Sequence, residues 1–251
     1  MFVKQCKATH IKDLTRLPSM TSEFYWSIKY DGHYCQVHVG DEIKFYTSSG
    51  KEFSEFNLKL IFQNFPRGIY ECEFLGTGDG KLGGRNAAAL ATTLRTNFAK
   101  GVVSDYPACK LVIFDIIDTK PFEERLKLLQ NLLQYNNVKV ARYQKVLFSN
   151  IDYTKKMTID SGYEGIILKS PLHIQIAGKR VKDAIKVKDA ITADVVVIDT
   201  IEGDGKYKGC IGALRCKDEK GTIVDVGSGL QDFHRHKPKE YWVGRTIEIK
   251  A

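Results

Sequence analysis

The sequence predicts an α+β protein in which a larger domain of antiparallel sheets with helices precedes a small β-barrel. Its 251 residues exceed one average domain, and 43% of them are hydrophobic, as in ordinary globular proteins. Residues 1–189 contain both strand and helix signals. Beyond it the chain changes to short strands separated by glycine-containing turns, which is typical of a small barrel. The predicted domains are therefore residues 1–189 and 190–251.

Short β-rich segments between turn residues predict the strands of the first domain. Tyr25–Lys29, Tyr34–Val39 and Glu42–Tyr46 predict an antiparallel meander, because Asp31-Gly32 and Gly40-Asp41 stand between them. Further strands are predicted at Ile69–Leu75, Leu111–Ile117, Gly165–Leu168 and Ala184–Val187.

Two segments predict helices in the first domain. Phe122–Tyr135 places apolar residues at helical spacing, with Pro121 before it and two glutamates in its first turn. Asn86–Phe98 is the second predicted helix. In the second domain, strands are predicted at Asp194–Ile201, Gly212–Lys217, Gly221–Val226 and Thr246–Lys250.

The formal charge of +8 is unevenly distributed along the chain. Residues 190–251 hold ten basic and ten acidic residues, whereas residues 1–189 hold twenty-eight basic and twenty acidic residues. A basic domain beside a neutral one suggests a polyanionic partner. No apolar run approaches the ~20 residues that span a bilayer, so no membrane association is expected.

The cysteines and the first ten residues indicate a reducing compartment. The six cysteines form no CxxC pair and no zinc-type cluster, and residues 1–10 contain no apolar segment typical of a secretory signal. We therefore expect a cytoplasmic protein, of a cell or of a virus that acts in the host cytoplasm. We also expect it to act as a monomer.

The strongest local signal for chemistry is Lys29-Tyr30-Asp31-Gly32, directly after a predicted strand. A lysine at a strand end, near other cations, is a candidate nucleophile. Gly32 lets the backbone turn closely around a bound nucleotide. Taken alone, the four residues would be interpreted as a simple turn that links two strands.

Four further segments follow in a fixed order. They are Glu71-Cys72-Glu73, Phe114-Asp115, Glu164–Lys169 and Lys186-Val187-Lys188. Strand alternation places Lys186 and Lys188 on one face. Together with Lys29-Tyr30-Asp31-Gly32, the set resembles the nucleotidyl motifs of the covalent nucleotidyltransferase superfamily, which contains DNA ligases, RNA ligases and mRNA capping enzymes.

The second domain narrows the resemblance. Glu202–Gly209, Gly212-Ala213-Leu214 and Val226–Leu230 look like the OB-fold domain of small ATP-dependent DNA ligases. The sequence is thus identified as a member of that family. The resemblance implies a nucleotidyltransferase (ATP-grasp-like) domain followed by an OB-fold β-barrel.

The resemblance also implies roles for the residues of a nucleotide site. Lys29 matches the lysine that attacks the α-phosphate of ATP and becomes lysyl-AMP. Asp31 matches an aspartate that holds a metal-bound water or orients the lysine. Glu73 matches the glutamate that contacts the ribose, and Phe114 matches the aromatic ring that stacks on adenine.

The remaining matches concern the metal and the phosphates. Glu164 matches the carboxylate of the metal site, so that Glu164 and Asp31 are expected to hold Mg²⁺ or Mn²⁺. Lys186 and Lys188 match the pair that contacts the α-phosphate. Without the other motifs, these lysines would be interpreted as an ordinary charged strand face.

Basic residues predict contacts with DNA. The segment Gly80–Ser104 contains four basic residues and no acidic one, and it resembles a stretch that touches DNA near the nick in minimal ligases. A solvated basic helix is the alternative interpretation. The predicted DNA contacts are Arg85, Arg95, Lys169, Lys206 and Lys208, for which phosphates are the natural partners.

The sequence departs from the family pattern at three places. Tyr34 and Ser48 stand where ligases usually carry arginine, which alters a ribose or nucleic-acid contact and a contact near the nick phosphate. No basic terminal motif is found after the strand in Gly244–Ala251. Either the chain is a fragment, or self-adenylation proceeds differently.

The predicted function is ATP-dependent sealing of 3′-OH/5′-phosphate nicks in duplex DNA through a lysyl-AMP intermediate. One alternative is an RNA ligase or a capping-type nucleotidyltransferase that uses GTP. A second alternative is a ligase-derived nucleic-acid-binding module without ligation activity. The departures at Tyr34 and Ser48 and the missing terminal motif motivate this second alternative.

Overall fold

The computed structural model describes residues 2–11, 23–189 and 192–250. The chain divides into two compact units, Met1–Asp189 and Ala190–Ala251, at the position where the strand pattern and the charge pattern change. Within the described residues, no helix is both long and apolar enough to cross a membrane.

The first unit contains strands and helices in alternation. Its strands are β1 (Lys7–His10), β2 (Glu23–Lys29), β3 (His33–Val39), β4 (Ile43–Thr47), β5 (Glu52–Phe53), β6 (Gly68–Gly76), β7 (Lys110–Ile116), β8 (Val138–Val140), β9 (Gln144–Leu147), β10 (Gly165–Lys169) and β11 (Arg180–Lys188). Its helices are α1 (Phe56–Phe62), α2 (Gly84–Ala99), α3 (Phe122–Gln130) and α4 (Ile151–Asp160), with a 3₁₀ turn at Phe148–Asn150.

The strands of this unit form two sheets. Among the described residues, the first sheet has the order β1-β11-β10-β2-β9 and the second has the order β5-β4-β3-β6-β7-β8. Pairing is antiparallel except at two edges, where β1 pairs with β11 and β8 pairs with β7 in parallel. The sheets, which were predicted to be antiparallel, therefore each contain one parallel pair at an edge.

The predicted meander of the first three strands is wrong at its first connection. The strands β3 and β4 pair as an antiparallel hairpin, but β2 lies in the other sheet, between β10 and β9. The segment Lys29–Gly32 is thus a crossing from one sheet to the other. Turn residues indicate that the chain reverses, but they do not specify the partner of the next strand.

The helix predictions differ from the structure mainly at their ends. The helix α2 extends the predicted Asn86–Phe98 by a few residues. The helix α3 ends at Gln130, because the chain turns at Asn131 while Leu132 and Tyr135 still pack against the core from a loop. Apolar residues that continue the helical spacing beyond Gln130 are therefore buried, but they do not belong to the helix.

Two helices and four short strands of the first unit were not predicted. Glu55 caps the start of α1, because its carboxylate accepts a hydrogen bond from the backbone N–H of Leu58. The helix α4 buries only Ile151 and Thr158. Such short or weakly amphipathic segments leave little periodic signal. The unpredicted strands are β1, β5, β8 and β9.

Strand alternation divides each sheet into an apolar face and a polar face. In the first sheet, Phe24, Leu168 and Val187 pack into a core. In the second sheet, Cys72 and Phe74 pack against α2 in the largest core. Neighbouring positions along the same strands point the other way, so the polar faces of the two sheets oppose each other.

The second unit is built on one antiparallel sheet. Its strands are β12 (Thr192–Glu202), β13 (Ile211–Lys217), β14 (Ile223–Val226) and β15 (Thr246–Lys250), in the order β14-β13-β12-β15, with a 3₁₀ turn at Gly205–Tyr207 and short helices α5 (Asp232–Arg235) and α6 (Lys239–Trp242). Val195, Val197, Leu214 and Trp242 form its core. The predicted first strand residue of β14, Gly221, lies in the preceding turn instead.

The packing of α2 on the second sheet can be tested by removing one core side chain. Leu94 is fully buried in this core, so Leu94→Ala is expected to lower the free energy of unfolding by about 2–5 kcal/mol. Thr93→Ala on the exposed face of the same helix is the control, with a change within about 0.5 kcal/mol. Urea unfolding measures both values, and equal values for the two variants would contradict the packing.

Candidate active site

A pocket of about 410 Å³ lies between the opposed polar faces of the two sheets. We call it the central pocket. Its lining residues are Gln5, Cys6, Lys7, Ala8, Ser27, Ile28, Lys29, Tyr30, Glu71, Glu73, Phe114, Asp115, Tyr143, Ile167, Lys169, His173, Gln175, Arg180, Ala184 and Lys186. The predicted residues Lys29, Glu73, Phe114 and Lys186 therefore meet in one cavity.

Glu164 joins two lysines at one end of the central pocket. Lys29 Nζ donates to Glu164 Oε2, and Lys188 Nζ donates to Glu164 Oε1 at 2.7 Å. The register of β10 with β2 and β11 places the residue before Gly165 beside both lysines. Burial opposes ionisation of Glu164, but the hydrogen bonds from Lys188 and Lys29 outweigh it and hold its pKa below the usual value.

Gly165 allows this close approach of the strands. It has a φ of +149°, and a Cβ on it would lie 2.3 Å from the carbonyl oxygen of Val187. Any larger residue would separate β10 from β11. Glu164 is thus fixed near its lysine partners by a backbone contact that requires glycine.

Lys186 lies between these lysines and Arg180. Burial lowers its pKa, and the positive charges of Lys29, Arg180 and Lys188 lower it further. This concentration of positive charge, with Glu164 as the partner of two of the lysines, suits an anionic ligand.

Asp31 connects the turn after Lys29 to helix α2. Its Oδ2 accepts hydrogen bonds from the backbone N–H groups of Gly83 and Gly84, at 2.8 and 2.9 Å. Burial opposes ionisation, but these two bonds outweigh it and lower the pKa of Asp31. The carboxylate therefore caps the start of α2. The roles predicted for Asp31, in holding the metal or a metal-bound water or in orienting Lys29, stay predictions.

Glu73 lies next to the same turn. Its Oε1 accepts a hydrogen bond from the backbone N–H of Gly32 at 3.1 Å, and a Cβ on Gly32 would lie 2.6 Å from the carbonyl oxygen of Phe74. Burial raises the pKa of Glu73 to about 7, against the opposing effect of Lys29. A neutral carboxyl group here can both donate and accept hydrogen bonds.

Apolar side chains form two opposite walls of the central pocket. Phe114 lies on the β7 wall, and Ile167 lies on the β10 wall. Tyr143 donates to the carbonyl oxygen of Phe114 at 2.9 Å and contributes its ring to the same region. A flat aromatic ligand fits between such walls.

A buried ionic cluster lies at the floor of the central pocket. Asp115 accepts two hydrogen bonds from Arg125, at 2.8 and 3.0 Å, and one from Lys169 at 2.6 Å. Burial opposes ionisation of Asp115, but Lys169 and Arg125 hold its pKa at about 2. All three side chains are buried, so the two cations compensate the carboxylate charge.

This cluster corrects the prediction that Lys169 contacts DNA. Lys169 is only 5% exposed, and its ammonium lies 4.5 Å from the ring centroid of Phe122 as well as on Asp115. A side chain held in this way is not presented to a DNA backbone. The sequence motif located Lys169 at the end of β10, but the pairing with Asp115 joins residues 54 positions apart.

Tyr34, at the position of a usual arginine, belongs to a hydrogen-bonded wall that was not predicted. Its hydroxyl donates to Glu71 Oε1 at 2.8 Å and accepts from Gln36 Nε2 at 2.8 Å. Gln175 Nε2 donates to the other oxygen of Glu71 at 2.6 Å. The tyrosine therefore orients a buried carboxylate in the central pocket instead of presenting a positive charge.

The other predicted DNA contacts lie outside the central pocket. Arg85 is exposed on α2, and Arg95 is half-buried further along the same helix. Lys206 and Lys208 are exposed in the second unit, where Lys206 lies over the ring of Tyr207. Their contacts with DNA stay predictions.

Several lining residues were missed by the sequence analysis although strand alternation could have found some of them. Ser27 and Glu71 lie two positions before Lys29 and Glu73, on the same faces of β2 and β6. Lys7 and Gln175 come from segments without a periodic signal, and only the tertiary structure brings them to the central pocket.

The described residues offer one simple donor set for a metal. They contain no group of three or more His, Cys, Asp or Glu side chains arranged to hold an ion. Glu164 provides a single carboxylate, which with phosphate oxygens and water is a donor set that Mg²⁺ accepts.

Two facing sheets enclose a lysine at a strand end, and a separate β-rich unit follows in the chain. This arrangement is the one implied by the sequence resemblance to nucleotidyltransferases with an OB-fold domain. Comparison with known families makes this class more specific. The family model described as ATP dependent DNA ligase domain matches residues 1–188, and that described as DNA ligase OB-like domain matches residues 202–251. The chain belongs to the ATP-dependent DNA ligase family, and the predicted fold class is confirmed.

Curated relatives share this assignment. The chain is 28% identical over 243 residues to a DNA ligase of Methanococcus maripaludis, covering 81% of the chain and 42% of that protein. It is 28% identical over 245 residues to a DNA ligase of Methanococcus aeolicus, covering 88% of the chain and 43% of that protein. The chain thus spans less than half the length of these relatives.

Solved structures show the same fold at lower sequence identity. A Lig E DNA ligase matches with a TM-score of 0.77 and 20% identity, covering 99% of this chain and 93% of that chain. The bacteriophage T7 DNA ligase in complex with ATP matches with a TM-score of 0.56 and 16% identity, covering 98% and 93%.

The buried cluster predicts a large cost for removing one cation. Arg125→Met removes two charge-assisted hydrogen bonds to Asp115 and the donor to the carbonyl oxygens of Lys120 and His173, so the free energy of unfolding is expected to fall by about 3–5 kcal/mol. Arg67→Met, which breaks the exposed pair of Arg67 with Asp41, should cost at most about 1 kcal/mol. Urea unfolding measures both, and a small effect of Arg125→Met would show that the cluster contributes little.

The raised pKa of Glu73 predicts a pH dependence of stability. Between its ordinary value of 4.5 and its folded value of about 7, the folded chain keeps a proton that the unfolded chain releases. The contribution of the neutral carboxyl group of Glu73 to the free energy of unfolding is therefore fully present below about pH 4.5. It is lost as pH rises through about 7. Between about pH 5 and pH 8, the free energy of unfolding measured in urea should fall more for the wild type than for Glu73→Gln. Glu124→Gln, on an exposed helix position, should behave like the wild type.

Proposed function

We propose that this chain seals 3′-OH/5′-phosphate nicks in duplex DNA with ATP, through a lysyl-AMP intermediate. One observation carries the proposal: in a member of the ATP-dependent DNA ligase family, the central pocket presents Lys29 in contact with Glu164, with Lys186 and Lys188 beside it. A nucleophilic amine, a carboxylate and cations at one end of a pocket suit attack on a phosphate.

The central pocket has the size and the walls for a nucleotide. About 410 Å³ lies within the range of small-molecule sites, about 300–1,000 Å³. The adenine ring stacks on Phe114 against Ile167, and the ribose hydroxyl groups bond Glu73. The α-phosphate then lies near Lys29 and Lys186.

The first step is nucleotidyl transfer to Lys29. An ammonium group has no lone pair, so Nζ must lose a proton before it attacks, and Glu164 is the carboxylate in hydrogen-bond contact with it. The bond from Nζ to the α-phosphorus forms, and the bond from that phosphorus to the pyrophosphate oxygen breaks. Lys186 and Lys188 stabilise the negative charge on the α-phosphate.

A divalent cation fits this site at Glu164. When bound there with phosphate oxygens, it supplies neutralisation of phosphate charge. Asp31 Oδ2 accepts hydrogen bonds from the backbone N–H groups of Gly83 and Gly84. These bonds hold the turn that follows Lys29.

DNA is the partner in the later steps. AMP passes from Lys29 to the 5′-phosphate, and the 3′-OH then attacks the activated phosphate and releases AMP. Arg85 and Arg95 on α2, with Lys206 and Lys208 of the second unit, bind backbone phosphates. A monomer suffices for this chemistry, and binding should weaken steeply with salt.

The nucleophile assignment predicts loss of covalent labelling on substitution. Lys29→Ala should abolish transfer of labelled AMP from α-labelled ATP to the protein, because the attacking nitrogen is absent. Denaturing electrophoresis followed by peptide mapping measures the label.

The matched control is Lys145→Ala. Lys145 lies on strand β9, next to β2, and forms an ion pair with Glu23 of β2. This variant should label like the wild type. Labelling of Lys29→Ala, or labelling of the wild type by GTP in preference to ATP, would contradict the proposal. Joining of a labelled nicked duplex by the wild type tests the complete reaction.

A further inference from the structure

One segment of the first unit, residues 171–176 between β10 and β11, alternates between exposed and pocket-lining side chains. His173 and Gln175 line the central pocket. The exposed apolar side chains of the segment are Leu172, Ile174 and Ile176. Such an alternation points successive side chains to opposite sides of the backbone. The segment therefore presents His173 and Gln175 to a ligand in the central pocket.

The backbone of His173 is fixed at the floor of the central pocket. Its N–H donates to the carbonyl oxygen of Ser170 at 3.0 Å, and its carbonyl oxygen accepts from Arg125 Nη1 at 3.0 Å. Arg125 also binds Asp115, which follows Phe114 on β7. His173 is thus held by the buried ionic cluster, close to the wall on which the adenine ring is proposed to stack.

Asp183 orients the imidazole ring of His173. The Nδ1 atom of the ring lies 3.0 Å from Asp183 Oδ1, and of the two ring nitrogens only Nδ1 has a hydrogen-bond partner among the described residues. Burial and the positive charge of Lys169 lower the pKa of His173, against the opposing effect of Asp183. The ring is therefore neutral at pH 7 and carries its proton on Nδ1, because a carboxylate only accepts hydrogen bonds. The other nitrogen, Nε2, is left as an acceptor.

Gln175 presents a second unused acceptor on the same side of the segment. Its Nε2 donates to Glu71 Oε2 at 2.6 Å, which fixes the orientation of the amide. Its Oε1 is buried, and no group among the described residues donates to it. A buried polar atom without a partner is costly, so a ligand is expected to supply the donor. The polar atoms that this segment leaves unused are thus acceptors.

Purine bases differ in the hydrogen-bonding group that they carry at C6. Adenine has an amino group there, which donates, whereas guanine has a carbonyl oxygen, which accepts. A neutral histidine whose Nε2 is an acceptor attracts the amino group and repels the carbonyl oxygen. An acceptor fixed at the floor of the central pocket therefore favours adenine.

We propose that Nε2 of His173 accepts a hydrogen bond from the 6-amino group of the adenine ring, and that Asp183 is the positioning residue that keeps the proton of His173 on Nδ1. The inference rests on the proposed function, because it concerns the nucleotide that reacts with Lys29. Neither His173 nor Asp183 belongs to the motifs on which the sequence resemblance rests. The pair adds a determinant of base specificity to the central pocket.

The test compares the rates at which α-labelled nucleotides label the protein below saturation. ATP is compared with purine riboside triphosphate, which lacks only the amino group at C6. The wild type is expected to react at least about tenfold faster with ATP. His173→Phe keeps an aromatic ring but has no acceptor, so it should lower this ratio about fivefold to tenfold. The control Leu172→Ala, on the exposed side of the same segment, should keep the ratio of the wild type.

A second variant tests the proton position on the ring. The side chain of Asp183 is 25% exposed, so Asp183→Asn is expected to fold. The amide of an asparagine can donate to Nδ1, and the ring proton then lies on Nε2. The rate with ATP should therefore fall relative to the rate with inosine triphosphate, which carries a carbonyl oxygen at C6. A merely structural role of Asp183 would slow both nucleotides equally.

Two results overturn the inference. One is a wild type that reacts equally fast with ATP and purine riboside triphosphate. The other is a ratio for folded His173→Phe within about twofold of the wild-type ratio or, if that variant does not fold, an unchanged ratio of ATP to inosine triphosphate for Asp183→Asn. Absence of labelling of the wild type by any nucleotide contradicts the proposed function instead, so the two failures are distinguishable.

Discussion

The carboxylate of Asp115 is the contact on which the arrangement of the first unit depends. It lies on β7 of the second sheet and binds Lys169 on β10 of the first sheet and Arg125 on α3. Two sheets with polar faces toward each other cannot be held by a continuous apolar layer. A fully desolvated carboxylate with two cations provides a directional link at that place, and its loss would leave uncompensated charge in the interior. The pocket exists because this link and the surrounding aromatic rings hold the sheets at a fixed separation.

The two-residue period of the strands distributes the functional groups over this interior. Lys29, Lys186 and Glu73 lie on strand faces that alternate with core residues such as Cys72 and Val187. The same side chains that pack the cores therefore set the direction of the reactive ones. Loops contribute less. The turn after Lys29 is fixed by hydrogen bonds, because Gly32 N–H donates to Glu73 and the N–H groups of Gly83 and Gly84 donate to Asp31.

Local motifs allowed much of the fold and of the candidate site to be predicted, because Lys29, Glu164 and Lys188 lie at strand ends with strong short-range signals. The sequence did not show which sheet each strand joins, and the transition between sheets at residues 29–32 was therefore mistaken for a hairpin turn. Lys169 looked like a surface cation because its partner Asp115 is distant in sequence. The cap that Asp31 provides for α2 was not predicted, because its bonds to Gly83 and Gly84 arise only when α2 packs on the sheet. In each case a long-range contact decides the role of a residue whose type alone is compatible with several.

The bridge formed by Glu164 has a consequence for the order of events in the proposed reaction. Before nucleotide transfer, two ammonium groups share one carboxylate, and the balance at this end of the pocket is positive. After transfer, the nitrogen of Lys29 is an uncharged phosphoramidate, and the attached nucleotide brings a negative phosphate. With Lys186 beside these groups, transfer removes the positive excess and leaves this end of the pocket neutral, which weakens its attraction for a second anion and promotes the departure of pyrophosphate. A single carboxylate between two lysines thus gives the loaded enzyme a weaker attraction for anions than the empty enzyme has.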